Sequence, residues 1–245
     1  MKIGVIGTRG FPEIQGGIET HCMELYTRIA GFSGNTVTVY RRNPYLNSGN
    51  RDAKFPNIRF VDFSVPRSKF LETFLHSFLA TVHALFQGFD IIHYHNTGPG
   101  FFIPLLVFSR AKVVFTYHNV SYTQKKWNFA AKKFLSLSER ISLENSDYVI
   151  IEIPPILYYS FPPTLIASAD LTILVCRANR VWSSADQGML DMVKSISSCE
   201  PVILLNGVEL QVVESVLGDL PKKRSWLRRI AKNIVRLQFY SRHQA

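Results

Sequence analysis

The first twenty residues constrain this chain more than any other stretch. Lys2-Ile3-Gly4-Val5-Ile6-Gly7 is a short apolar run ending in glycine, the pattern of a strand buried within a parallel sheet. Thr8-Arg9-Gly10-Phe11-Pro12 follows, and a helical pattern opens at Gly16-Gly17-Ile18-Glu19-Thr20. Strand, glycine-rich loop and helix start bring backbone N–H groups and the positive end of a helix dipole to one place. A phosphate can approach the backbone there. Two familiar loops are excluded: Gly4, Gly7, Gly10, Gly16 and Gly17 do not spell G-x-G-x-x-G, and G-x-x-x-x-G-K-[ST] occurs nowhere. On glycine content alone, a plain tight turn between strand and helix is the alternative.

Behind this start, strand-like and helix-like patterns alternate. A helix is expected from about Ile18 to Ile29, then a β-branched strand Thr36–Tyr40, a polar loop Arg41–Pro56 and a strand Ile58–Val61. Apolar residues at helical spacing run from Phe70 to Gln87 and stop at Gly88. Asp90–Tyr94 and Lys112–Tyr117 read as strands with a short helix, Pro99–Ser109, between them. Phe129–Leu143 reads as a helix and Tyr148–Ile151 as a sixth strand. Such alternation predicts an α/β fold, a doubly wound and mostly parallel Rossmann-like sheet. Ligands of such sheets bind beyond the carboxyl ends of the strands. Those ends carry Thr8-Arg9-Gly10, Arg41-Arg42, His95-Asn96-Thr97-Gly98-Pro99 and His118-Asn119, a lining suited to an anionic or hydroxyl-rich ligand. His76 and His83, on a helix at i, i+7, are assigned to packing, and no metal site is expected.

Charge narrows the partners. The net charge is +10, yet eight Lys or Arg and no acidic residue lie from Lys222 onward. The rest of the chain holds twenty basic and eighteen acidic residues, so no nucleic-acid groove is expected. Cys22, Cys176 and Cys199 are odd in number and lack metal spacing, which fits buried thiols in a reducing compartment. The N-terminus enters a core strand directly, and Phe70–Phe86 carries Glu72, His76 and His83. A cytoplasmic protein is therefore expected.

Met1–Pro12 and Gly16–Thr20, with Asp90-Ile91-Ile92-His93-Tyr94-His95-Asn96-Thr97-Gly98-Pro99, Val113–His118, Lys126-Trp127 and the helix ending near Glu139, resemble the N-terminal domain of bacterial GT-B glycosyltransferases. The likeness is to the retaining, rhamnosyltransferase-like members that build surface polysaccharides, and covers about residues 1–150. It implies a nucleotide-sugar donor and a saccharide or lipid-linked acceptor. His118 would be the catalytic residue beside the reacting sugar, with Gly7, Arg9, Gly10, Gly16, Gly17, Glu19 and His95 binding donor or acceptor. No D-x-D triplet occurs, in keeping with a site that needs neither cofactor nor metal. About ninety-five residues follow Ile150, fewer than the second Rossmann domain of that family needs, and Glu200, Glu209 and Glu214 lack its E-x7-E spacing. Weak or absent turnover is the expectation.

Asp147–Pro155, Ala169–Arg180 and Pro201–Gly207 are similar instead to the region after Walker B in bacterial polysaccharide tyrosine autokinases, with Glu152 as the displaced acid and no Walker A. Two more parallel strands, Leu171–Val175 and Val202–Leu205, are expected to extend the sheet as scaffold. The domains then read 1–148, 149–221 and a basic amphipathic helix over 222–245. Segment Lys222–Arg242 suits an anionic membrane surface on the inner face of the plasma membrane, or packing of its apolar face on the body. A non-catalytic interaction module of a polysaccharide assembly complex, or a chimeric remnant, is the alternative to an enzyme.

Overall fold

The computed structural model describes residues 1–68, 71–118, 128–158 and 161–207. It divides into two units, Met1–Pro154 and the part beginning at Pro155. Phe70, Asn119, Lys126-Trp127 and the basic segment from Lys222 lie outside the described residues.

The first unit runs β1 (Lys2–Ile6), α1 (Gly17–Ala30), β2 (Thr36–Arg42), β3 (Ile58–Phe63), α2 (Leu71–Leu85), β4 (Ile91–His95), α3 (Thr97–Gly100), β5 (Lys112–Tyr117), α4 (Phe129–Glu144) and β6 (Tyr148–Ile151). Its six strands form one parallel sheet in the order β3-β2-β1-β4-β5-β6. That is the Rossmann order, whose direction of winding reverses between β1 and β4. The fold is the doubly wound α/β class that the alternation predicts.

Each face of the sheet has its own core. Ile6, Ile92, Tyr94, Val113 and Phe115 pack with Ala80 and Ala84 of α2. Ile3, Val5, Val37 and Val39 pack with Cys22, Tyr26 and Ala30 of α1. Strand alternation explains the division, since successive side chains point to opposite faces. It also exposes an irregularity. On β4, Ile92 and Tyr94 join the α2 core, whereas His93 and His95 face α1. Two histidines thus occupy core positions, buried to 7% and 0% exposure.

On α2 the packing roles of the histidines hold. His83 Nδ1 meets the Tyr40 hydroxyl at 2.9 Å, and His76, fully buried, lies edge-on to Phe63. Burial, with the nearby Arg42 charge, lowers the His76 pKa to about 3 from an ordinary 6.5. The folded chain therefore keeps His76 neutral while the unfolded chain takes up a proton below about pH 6.5. Its contribution is complete above that pH and declines as pH falls toward 3, by about 1.4 kcal/mol per pH unit. His76→Phe should flatten this slope. Urea midpoints of both proteins between pH 7.5 and 5 check it, and parallel curves would contradict it.

The second unit, described to residue 207, holds α5 (Pro163–Ala167), β7 (Ile173–Arg177), α6 (Ser184–Ile196) and β8 (Val202–Asn206). Among the described residues the expected extension of the main sheet is not found. β7 and β8 pair with each other over five positions as a separate parallel sheet. A parallel pair needs a crossover, and α6 supplies it locally. Ser183 and Asp186 start that helix as a reciprocal capping box. Of the three free thiols only Cys22 is buried; Cys176 and Cys199 are half-buried. No described helix is long and apolar enough to cross a membrane.

Candidate functional site

Four strands of the first unit deliver the candidate residues to one end of the sheet. After β1 the chain must pass close to β4. A Cβ on Gly7 would lie 2.0 Å from the His95 carbonyl oxygen, and the residue has φ +109°, so only glycine fits. At Gly16 a Cβ would fall 2.0 Å from Glu19 Oε2 and 2.3 Å from Arg9 Nη2. Gly17 differs, since among the described residues nothing lies within 4 Å of a Cβ there. Among the described residues no side chain caps α1, whose first internal bond runs from Thr20 N–H to the Gly16 carbonyl at 3.0 Å. The N–H groups of Gly17 and Ile18 are thus left for another acceptor, at the positive end of the helix dipole.

Arg9 and Glu19 are matched to each other. The guanidinium donates to both Glu19 carboxylate oxygens at 3.1 and 2.8 Å and to the Gln15 carbonyl at 2.7 Å, while the Arg9 N–H donates to Glu19 Oε1 at 3.1 Å. Burial alone would raise the Glu19 carboxyl, but the Arg9 hydrogen bonds outweigh it and hold the group below the usual carboxylate range. This pair shapes the loop around Gly10 and Gly16.

Arg41 and Arg42 are spent on ion pairs. β2 continues through both, and they are buried to 1% and 7% exposure. Buried guanidinium groups require partners. Arg41 pairs with Asp62 at 2.8 and 2.9 Å and lies 4.1 Å over the Phe60 ring, and Arg42 pairs with Glu72 at 2.9 Å.

The histidines converge. Tyr26 Oη, from α1, lies 2.8 Å from His93 Nδ1 and 2.6 Å from His95 Nε2. His93 Nε2 meets Thr116 Oγ1 at 2.7 Å, His95 Nδ1 meets His118 Nε2 at 3.1 Å, and His118 Nδ1 meets Glu152 Oε2 at 2.8 Å. Strand register sets this line. β5 pairs Tyr117 with Ile151 of β6, so the residues that follow, His118 and Glu152, emerge side by side. A carboxylate only accepts, which fixes the proton of His118 on Nδ1. With the rings neutral, one set of tautomers then satisfies every contact: Thr116 donates to His93, His93 to Tyr26, Tyr26 to His95, His95 to His118 and His118 to Glu152. Burial first, then neighbouring histidines, lowers the His93 pKa to about 3 and that of His95 well below 6.5. His21, on the exposed side of α1, adds a fourth ring, its centroid 5.0 Å from that of His118 and 5.6 Å from that of His95.

His95 and His118 stand at strand ends that the sequence already predicts, whereas Tyr26, His93, Thr116 and His21 join the site only in the fold. Alternation on β4 was the available signal, because His93 and His95 share a face with each other and not with Ile92 and Tyr94.

A family model provides independent identification. That for Glycosyltransferase Family 4 matches residues 15–151, more than half of the chain and from the glycine loop through β6. The chain belongs to glycosyltransferase family 4. No curated protein matches this family-4 chain in sequence. Among solved structures, sucrose-phosphate synthase from Thermosynechococcus elongatus is similar at 16% identity over 89% of this chain and 73% of its own, with a TM-score of 0.49. LpCGTa, solved in complex with UDP, is similar at 10% identity over 86% of this chain and 72% of its own, with a TM-score of 0.43. The family match ends at residue 151, so the autokinase likeness of the later segments rests on their residues alone.

Proposed function

We propose that the first unit is the N-terminal half of a retaining GT-B-type transferase, moving a sugar from a nucleotide-sugar donor to a saccharide or lipid-linked acceptor of surface polysaccharide. The observation that carries this reading is that α1, uncapped at its start, brings His21 within 5.0 Å of the Glu152-anchored His118, ring centre to ring centre, at the carboxyl end of the sheet. The leaving diphosphate gains negative charge as the glycosidic bond breaks. N–H donors already aimed at it stabilise that charge without reorganisation. Gly17 and Ile18 would supply them, with the Arg9–Glu19 pair holding the loop. No diphosphate-bound metal is needed in this scheme. Glu152 holds the proton of His118 on Nδ1, and a sugar hydroxyl that takes the place of His95 Nδ1, which lies 3.1 Å from His118 Nε2, would donate to that nitrogen. Turnover by this chain alone is expected to be slow, because the loop grips one side of the donor.

Calorimetric titration with nucleoside diphosphates and nucleotide sugars, alongside ATP, tests the reading. Saturable binding of a nucleotide sugar is expected, and a folded chain that binds none would refute it.

A second reading, a non-catalytic module that docks on polysaccharide assembly proteins, is favoured by the apolar side chains exposed on β7 and β8, including Ile173, Val175, Ile203 and Leu205. Under either reading the basic segment Lys222–Arg242, by composition, would hold the chain on anionic lipid at about 1 kcal/mol per charge near the surface. Co-sedimentation should be strong with phosphatidylserine-rich vesicles and weak with neutral ones; equal recovery would exclude the electrostatic anchor.

A further inference from the structure

We propose that His21, His95 and His118 form a binding site for a divalent first-row transition ion of the zinc class, held by three imidazole nitrogens. The ligand atoms of these three residues lie within 4.8 Å of one another. His95 Nδ1 and His118 Nε2 are 3.1 Å apart, near the separation of about 3.3 Å that two nitrogens take when each sits about 2.0–2.1 Å from one tetrahedral ion. Two imidazole nitrogens facing one another at this distance share either a proton or a metal. His21 completes the group from α1; none of the described hydrogen bonds engages its ring, and its exposure lets it swing inward.

Outside the three ligands the arrangement is that of a supported metal site. Metal-bound histidines donate their other ring N–H to a carboxylate, carbonyl or similar acceptor, which fixes the tautomer and raises ligand basicity. His118 Nδ1 already has Glu152 Oε2 at 2.8 Å. His95 Nε2 has the Tyr26 hydroxyl at 2.6 Å. Freeing His95 Nδ1 for an ion requires its proton to move to Nε2, and the chain behind it accepts that change. His95 then donates to Tyr26, Tyr26 to His93 Nδ1, and His93 Nε2 to Thr116. Protons are conserved, and the only hydrogen bond given up is the one the ion replaces. Four elements fix the groups: α1, β4, and the residues just past β5 and β6. Imidazole ligands without thiolate or a carboxylate cluster favour zinc, nickel or copper over magnesium or calcium. Three protein ligands leave a fourth position to water, as in catalytic rather than structural zinc sites.

The ion would occupy the same His118 Nε2 that the transfer reading aims at a sugar hydroxyl, so the two are alternatives at one nitrogen, and the test of the ion contains no nucleotide. The full, untagged chain carrying Cys176→Ser and Cys199→Ser, so that half-buried thiols cannot compete, is titrated with Co2+ alone. Visible d–d absorption is followed, and Zn2+ is then added to displace the cobalt. One saturable site per chain is expected. Its affinity should fall at least tenfold in His21→Ala, an exposed position that leaves the urea midpoint unchanged, and about 10–100-fold in Glu152→Gln. A folded chain with no saturable uptake of either ion, or uptake of the same affinity in His21→Ala, would overturn the proposal.

Discussion

Gly7→Ala should cost the first unit at least about 3 kcal/mol, from a left-handed backbone forced on alanine and a Cβ driven into the β4 backbone. At φ +109° an L side chain is strained before any contact is counted, and the atom that the new methyl meets, the His95 carbonyl oxygen at 2.0 Å, belongs to the backbone of a central strand. It cannot swing aside as a flexible side chain would. Relief requires β1 and β4 to part where their register runs through Ile6 and Tyr94. Small domains are stable by about 5–15 kcal/mol, so the loss is a large fraction of the whole. The urea midpoint of the variant measures it. A midpoint equal to that of the parent would mean that the loop does not approach β4 this closely.

Gly17→Trp, ten residues on in the same loop, should do the opposite and leave folding intact while abolishing donor binding. Among the described residues a Cβ at Gly17 meets nothing within 4 Å, so the indole is accommodated on the side from which a phosphate would approach. It would block the N–H groups at the start of α1. Hydrogen bonds to a charged group contribute about 1.5–3 kcal/mol each, so losing two weakens binding about a hundredfold or more. The same calorimetric titration reads this, beside a urea midpoint that should not move. Retained nucleotide-sugar affinity in a folded Gly17→Trp variant would place the donor elsewhere and remove the main support of the transferase reading. The pair of substitutions separates two roles that glycine plays in one loop: at Gly7 the chain needs its absent side chain to fold, and at Gly17 the ligand would need it to approach.

Much of the architecture was legible from local pattern. β5 and β6 begin and end where the sequence places them, and α1 differs by one residue at each end, because apolar periodicity and glycine punctuation are local properties. β2 and β3 each run two residues past the end that the sequence predicts. Their last residues include Arg41, Arg42 and Asp62, whose polarity suggests a loop until the Arg41–Asp62 ion pair is seen. In sequence Glu152 resembles the acid of an ATPase-like strand. Its partner His118 stands thirty-four positions away in sequence, and only the β5–β6 register reveals the contact.

Local pattern is therefore enough to reveal the α/β class, the glycine loop at the head of the first helix and the strand ends where a ligand would bind. These follow from side-chain periodicity and from the conformations open to glycine, which act over a few residues. Tertiary structure alone decided which polar groups are spent on one another and which remain for chemistry. Arg9 with Glu19, Arg41 with Asp62 and Arg42 with Glu72 neutralise each other, whereas Tyr26, His93, His95 and His118 form a line that ends at Glu152. Pairing across a sheet depends on register and strand order, and neither is written in any single stretch of chain.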